Sequence, residues 1–190
     1  MANKEADLLV SNGFLPTDFK QDNPPSQYLR LEEGQHVIVI MHADEVVGAN
    51  AITGYEWWEE DEKGRHPHRV RSKKDAPKDA RQFLAFKVWN KTLYEETEQV
   101  YFQILQVTQK SIIKAVAELA TDEDWGDPTE SYPICIDRSG QQLDTTYSIK
   151  PKPRKDIPKK VLDEFSKWTC DLNKLFEGED PFESEEALPF

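Results

Sequence analysis

Cysteines, long apolar runs and catalytic motifs are scarce in this chain, and each scarcity argues against a class of protein. Only Cys135 and Cys170 carry thiols, and neither stands with histidines at the spacing of a metal site. Two reduced thiols in a cytosolic protein are therefore expected. No run approaches the roughly 20 apolar residues that span a bilayer, and the first residues lack the basic-then-apolar order of a secretory signal. We expect a cytoplasmic protein.

Catalytic constellations are also missing from the sequence. It has no Gly-rich phosphate loop, no Gly-x-Ser-x-Gly elbow and no His-Glu-x-x-His motif. His66 and His68 resemble half of a metal site, but we interpret them as loop histidines beside a basic segment. The sequence therefore predicts a protein that is not an enzyme and holds no cofactor or metal. A metal nuclease built on the many carboxylates is a weaker alternative, which Mg²⁺-dependent cleavage would reveal.

The net charge of −12 argues at first against nucleic acid, but the charge is segregated along the chain. Residues 63–81 hold eight Lys or Arg against two Asp, or +6, together with two His. Residues 150–160 hold six bases against one Asp, or +5. The last fourteen residues, 177–190, carry six acids and no base. Segregated charge of this kind, rather than the sum, governs electrostatic recognition.

The pattern between residues 28 and 153 is mostly that of β-strands. We expect strands over residues 36–42, 51–59, 82–90, 100–107, 132–138 and 143–150. Residues 69–71 are expected to continue the second strand after a loop around Gly64 and Pro67. Thr108 is expected to cap a helix over residues 109–119, which the stretch DEDWGDP ends.

Several strands, then one helix, then a closing hairpin of two strands are typical of the OB-fold, a five-stranded Greek-key barrel. Another α+β sheet fits the same pattern. A C-terminal helix is expected to follow the stiff link at Pro151, Pro153 and Pro158, because apolar residues recur at helical spacing up to Gly178. The predicted parts are a leader (1–27), an OB-fold domain (28–153), a helix (154–177) that packs on the barrel or on another copy, and a disordered acidic tail (178–190).

Aromatic residues alternate with bases on neighbouring segments of the predicted domain. Trp57 and Trp58 are adjacent, so on a strand they point to opposite faces and one of them can face out. In the strand QFLAFKVWN, Phe83 and Trp89 fall on the same face as Lys87. Single-stranded nucleic acid is bound by such a mixture, in which rings stack on bases and cations follow the phosphates. The residues predicted to contact a single strand are Tyr55, Trp57, Trp58, Arg65, Arg69, Arg71, Lys73, Lys74, Phe83, Lys87, Trp89 and Lys110.

The acidic tail ends on apolar residues that a folded core would not use. Leu188, Pro189 and Phe190 follow a run of acids, and Asp180-Pro181-Phe182 places a similar Pro-Phe pair upstream. A terminal Phe offers a ring and a carboxylate that a partner can hold in an apolar pocket rimmed by Lys or Arg. The tail residues predicted to bind a partner are Asp180, Phe182, Leu188, Pro189 and Phe190. Without DNA, the acids are expected to compete for the basic groove of the protein itself.

These motifs resemble those of known proteins. The tail, with Asp180-Pro181-Phe182 and the ending EEALPF, resembles that of bacterial single-stranded-DNA-binding proteins. The stretches GYEWW, ILQVTQKSIIKAVAEL, DEDWGDP and YPICIDRSGQQLDTTYSIKPKP are similar to phage-encoded single-stranded-DNA-binding proteins with an OB-fold. The body resemblance covers about residues 28–153. It leaves the helix over residues 157–176 unexplained, and the Cys/His ligands of the zinc-holding relatives have no counterpart in this chain.

The resemblance implies a protein that coats and protects single-stranded DNA without sequence preference. Its tail would recruit replication, recombination and repair enzymes in the cytoplasm of a phage-infected host. Two alternatives stay open. The protein could be an interaction hub or regulator whose barrel is only a scaffold, or it could bind single-stranded RNA through the same rings and cations. The sequence does not determine the oligomeric state.

Overall fold

One antiparallel sheet organises the chain in a computed structural model that describes residues 25–42, 51–62, 64–129 and 132–182. The seven strands are β1 (Gly34–Ile40), β2 (Ala51–Asp61), β3 (Gly64–Val70), β4 (Arg81–Asn90), β5 (Phe102–Val107), β6 (Ile134–Ser139) and β7 (Thr146–Pro151). The helices are α1 (Lys91–Thr97), α2 (Lys110–Thr121), α3 (Lys159–Phe165) and α4 (Lys174–Glu177). The prediction of a mainly β protein with helices is therefore confirmed.

Strand β4 is the centre of this sheet. Its first half pairs with β2, its last three residues pair with β1, and β5 runs along it from Leu84 to Trp89. The strand order is β3-β2-β4-β1-β6-β7, with β5 attached to β4 beside this path. Among the residues that the structure describes, no strand pair closes this order into a ring. The sheet is therefore open, and the predicted five-stranded OB barrel is not confirmed.

Both faces of β4 are buried, because its alternating side chains pack against two different layers. Phe86 and Val88 meet Ile112 and Val116 of α2 on one face, in a core that also includes β1 and β6. On the other face, β4 packs against the C-terminal segment, residues 157–182. That contact forms two clusters, one with Cys170, Leu172 and Leu175 and one with Val161 and Phe165.

The C-terminal segment is not the single helix that the apolar spacing predicts. Helix α3 ends at Phe165 and α4 begins only at Lys174, with turns and irregular backbone between them. In this gap the side chain of Asp171 accepts a hydrogen bond from Asn173 N at 2.9 Å. Such local bonds compete with the helical pattern. The C-terminal segment packs on this protein's own sheet, one of the two arrangements predicted for it.

The start of the predicted disordered tail is packed as well. Gly178 ends α4 in the left-handed conformation, as its position predicts. Pro181 O then accepts a hydrogen bond from Asp171 N at 2.9 Å. Phe182 lies edge-on to Tyr28 with ring centroids 5.8 Å apart. The remaining tail residues, 183–190, and the predicted leader up to residue 24 lie outside the described residues.

The hairpin of β2 and β3 differs from its prediction at one proline. Asp61 pairs with Gly64 where β2 meets β3, and Gly64 has a positive φ of 114°, which glycine adopts without steric cost. Pro67 lies inside β3, opposite Trp58, and not in a loop. A proline fits there because β3 is the outermost strand of the order, where one amide need not pair.

The helices between strands also differ in detail from the prediction. Gln109 and not Thr108 precedes α2, and its side chain makes no capping bond. Helix α1 was not predicted, since it has only seven residues; Asn90 caps it by accepting a bond from Leu93 N at 3.0 Å. No helix within the described ranges is long and apolar enough to cross a membrane.

Candidate nucleic-acid interface

Trp58 is the exposed aromatic residue of the β2–β3 hairpin. It lies opposite Pro67, and 51% of its surface is accessible to solvent. The guanidinium carbon of Arg65 stands 5.3 Å from the centroid of its ring, which is within the range of a cation–π contact. The preceding residue, Trp57, points to the opposite face and is half-buried. Of the two adjacent indoles, Trp58 is therefore the one that faces out.

A surface groove of about 380 Å³ begins beside Trp58, and we call it the Trp58 groove. The residues that line it are Glu56, Trp57, Trp58, Arg65, Asp79, Arg81 and Thr108. Lys110 is exposed at the start of α2, two residues after Thr108. The fold thus brings Arg65 and Arg81 to one groove with the indole of Trp58, although Trp58 and Arg81 are 23 positions apart in sequence.

The other side of the hairpin carries the two histidines. The rings of Trp57 and His68 are stacked, with centroids 5.5 Å apart and an angle of 18° between their planes. His68 Nε2 lies 3.2 Å from Glu59 Oε2, and His66 Nε2 lies 3.5 Å from Asp61 Oδ2. Both histidines belong to strand β3 and not to the predicted loop. In the part of the chain that the structure describes, no three His, Cys, Asp or Glu side chains are grouped to hold a metal.

The basic connection between β3 and β4 is exposed. Lys73 and Lys74 lie in a short 3₁₀ turn, where Ser72 Oγ accepts a hydrogen bond from Lys74 N at 3.2 Å. Neither lysine forms an ion pair with a described residue. Arg71 is partly engaged, because its guanidinium lies 4.2 Å from the ring centroid of Phe176 and donates to Asn173 Oδ1 at 2.7 Å. Lys73 and Lys74 are thus the freer cations here.

Arg69 does not fit its predicted role as a phosphate contact. Its Nε donates to Glu56 Oε2 at 3.1 Å, and its other nitrogens donate to Gln106 Oε1 at 3.2 Å and to Leu175 O at 3.3 Å. Only 10% of its side chain is exposed. The guanidinium is therefore committed to contacts within the fold, which argues against the predicted phosphate contact.

The predicted stacking face of β4 is not a surface either. Phe83, Lys87 and Trp89 do share one face, but their exposed fractions are 0%, 1% and 3%. The C-terminal segment covers this face, and its Phe176 ring packs on Phe83 with centroids 5.8 Å apart. Alternation showed which side chains point together, but it could not show that a later segment covers them. Tyr55 is half-buried opposite Val70.

Burial also changes the chemistry of two side chains under this cover. Lys87 Nζ has no hydrogen-bond partner among the described residues, and burial lowers the pKa of Lys87. Burial raises the pKa of the neighbouring Cys170 thiol to about 12. Cys170 is therefore an unreactive, protonated thiol at neutral pH.

Two of the tail residues predicted to bind a partner, Asp180 and Phe182, lie within the described residues. Phe182 is half-buried between Tyr28 and Trp168, with ring centroids 5.8 and 6.0 Å away. Asp180 lies on one wall of a cleft of about 730 Å³, and His66 and Trp57 lie on the same cleft. The ring of Phe182 thus packs against the fold and is only partly exposed. Leu188, Pro189 and Phe190 lie outside the described residues.

A second cavity was not predicted from the sequence. It has a volume of about 230 Å³ and lies between β1, β4, α1 and the link before α3; we call it the Trp89 cavity. The residues that line it are Val39, Trp89, Lys91, Tyr94, Glu95, Tyr132, Pro133, Lys155, Asp156, Ile157 and Pro158. The signal that the sequence offered for it was the basic character of residues 150–160.

Known proteins offer no direct guide to this arrangement. The chain matches no protein-family model, no curated protein and no solved structure.

Proposed function

We propose that this protein binds single-stranded DNA without sequence preference and that the Trp58 groove is the contact surface. The observation that carries the proposal is the half-exposed indole of Trp58 with Arg65 held 5.3 Å from its ring. An exposed indole is costly in water and suits a base, whose stacking on an aromatic ring contributes about 1–3 kcal/mol.

The cations around the groove support the same function. Arg65 and Arg81 line it, and Lys110 is exposed close to its end. Lys73 and Lys74 extend the positive surface along the connection to β4. All of these side chains except Lys110 come from residues 63–81, a segment of charge +6 that attracts phosphates although the whole chain is acidic. The acids Glu56 and Asp79 limit the groove's charge, and Glu56 is already neutralised by Arg69.

The proposal extends to the fold and to the tail. An OB-type arrangement is supported by α2, which stands between β5 and the β6–β7 hairpin, and by the pairing of β1 with both β4 and β6. Recruitment of replication and repair enzymes is assigned to residues 188–190, on the sequence resemblance alone.

The test is a titration of intrinsic tryptophan fluorescence with oligo(dT) at low and high salt. Oligo(dT) is expected to quench emission, salt to reverse the quenching, and a duplex of equal length to have little effect. An oligo(U) competitor separates DNA from RNA, because a preference for it would favour the RNA alternative. No quenching at low salt would contradict the proposal and favour an interaction hub.

A further inference from the structure

The Trp89 cavity has walls suited to a flat ring. Trp89 and Tyr94 lie 5.3 Å apart between ring centroids, and Tyr132 contributes a third aromatic side chain. Val39, Ile157 and Pro158 complete an apolar lining. Its volume of about 230 Å³ is below the ~300–1,000 Å³ of pockets that enclose drug-sized ligands. One planar ring system is therefore the size of ligand that fits.

An unsatisfied donor belongs to this lining. Trp89 Nε1 is buried and has no hydrogen-bond acceptor among the described residues. Buried indole N–H groups usually find an acceptor, because leaving one unpaired costs free energy. A ligand that brings a carbonyl oxygen into the cavity would supply the missing acceptor. A pyrimidine or purine carbonyl is an oxygen of this kind.

Cations at the rim favour a ligand that carries phosphate. Lys155 lines the cavity and forms no ion pair with a described residue, whereas Lys91 is paired with Glu95. Lys152, Lys159 and Lys160 are exposed on the same basic segment. The wall on this side is formed by residues 152–158, which are free of helix and strand.

We propose that the Trp89 cavity takes one unstacked base of a bound single strand. The base ring lies against Tyr94 and Tyr132, a base carbonyl accepts from Trp89 Nε1, and Lys155 meets the adjoining phosphate. This inference rests on the proposed function and adds a second contact, on a different part of the sheet from the Trp58 groove. It is distinct from the predicted stacking by Trp89 on an open face, since Trp89 is 3% exposed and lines the cavity.

Photo-crosslinking of the full chain tests this site directly. An oligo(dT) in which thymines are replaced by 5-iodouracil is irradiated with the protein, and the crosslinked residues are mapped by mass spectrometry. Crosslinks to Trp89, Tyr94 or Tyr132, together with crosslinks to Trp58, are the expected result. Crosslinks confined to the Trp58 groove would overturn the cavity inference and leave the proposed function intact. Absence of both crosslinks and binding would overturn both.

Solution measurements give a second, independent outcome. In the indole region of a ¹⁵N spectrum, oligo(dT) is expected to shift the Trp89 Nε1–H resonance. Lys155→Ala is expected to weaken oligo(dT) binding by roughly threefold to tenfold, as for one lost phosphate contact. Lys114→Ala, on the exposed side of α2, is the matched control and should leave affinity unchanged. If the peptide ESEEALPF shifts this resonance and oligo(dT) does not, the cavity is a peptide site and the inference fails.

Discussion

Glu56 and Arg69 face each other across β2 and β3 and form a buried ion pair, with Nε and Oε2 3.1 Å apart. Gln106 Nε2 donates to the same carboxylate oxygen at 2.6 Å, and Arg69 also reaches Leu175 O. One pair of charges therefore ties the hairpin that carries Trp58 to β5 and to the C-terminal segment. The orientation of the Trp58 groove depends on this network.

Loss of one member of the pair should be costly. Glu56→Ala leaves the Arg69 guanidinium buried without its carboxylate, and we expect a loss of about 3–5 kcal/mol in the free energy of unfolding. Urea denaturation measures it. Glu118→Ala, which breaks the exposed 3.5 Å pair with Lys114, is the control and should cost about 0–1 kcal/mol. A loss below 1 kcal/mol for Glu56→Ala would show that the pair contributes little.

Trp58 should contribute to binding and not to stability. Trp58→Ala is expected to weaken oligo(dT) binding by about 1–3 kcal/mol, since it removes one stacking platform. Fluorescence anisotropy of labelled oligo(dT) measures the affinity, and thermal denaturation should show an unchanged midpoint. Leu143→Ala, a fully exposed apolar residue before β7, is the matched control. If both variants bind oligo(dT) with equal affinity, the DNA strand does not contact Trp58.

Lys74 should act through salt-dependent binding. Each phosphate contact changes the slope of log affinity against log salt by about 1. Lys74→Ala is therefore expected to lower this slope by about that amount, and Lys114→Ala to leave it unchanged. The two variants carry the same change in net charge, so a difference between them reports position. An identical slope for both would contradict the assigned surface.

Lys87 should be replaceable by an apolar residue of similar length. Lys87→Met removes a buried Nζ that has no partner among the described residues, and we expect stability to rise by about 1–3 kcal/mol at neutral pH. Burial lowers the pKa of Lys87 from its ordinary 10.5, so the unfolded chain binds this proton more tightly. The penalty in the parent protein therefore shrinks as the pH rises from the lowered pKa towards 10.5. A gap between variant and parent that stays constant up to pH 10 would contradict this account.

Two deletions separate the role of the tail's start from that of its end. Removal of residues 183–190 takes away three glutamates and should keep or tighten oligo(dT) binding, because fewer carboxylates compete for the cations. Removal of residues 177–190 also takes away Phe182 and its contacts with Tyr28 and Trp168. That deletion should lower stability by about 1–3 kcal/mol. Weaker binding after the shorter deletion would contradict the competitor hypothesis, and retained enzyme recruitment would contradict the role of residues 188–190.

Much of the secondary structure follows from local sequence. Short apolar runs of strand length located most of the strands, and in residues 82–90 the two-residue alternation also showed which side chains share a face. The stripe of apolar residues located α2 for the corresponding reason, with a period of 3.6 residues. Gly64 and Gly178 marked the turn and the helix end, since few other residues adopt positive φ.

The solvent exposure of the candidate site residues could not be predicted from local sequence patterns. Phe83, Lys87 and Trp89 lie together on one face as their spacing requires, yet a segment about 80 residues later covers them. Burial depends on contacts between distant parts of the chain, and no local period reports those contacts. Adjacency likewise showed that Trp57 and Trp58 point apart, whereas only the pairing with β3 shows that Trp58 is the exposed one.

The sequence by itself determined where α2 and the strands other than β3 lie and how the charge is divided along the chain, because these depend on residues close together in sequence. The tertiary structure decided which rings and cations reach the surface. It committed Arg69 to an internal ion pair, placed Arg65 over Trp58 and opened the cavity beside Trp89. Each of these outcomes depends on contact between two different segments of the chain. The packing that stabilises such a contact cannot be inferred from the pattern of either segment alone.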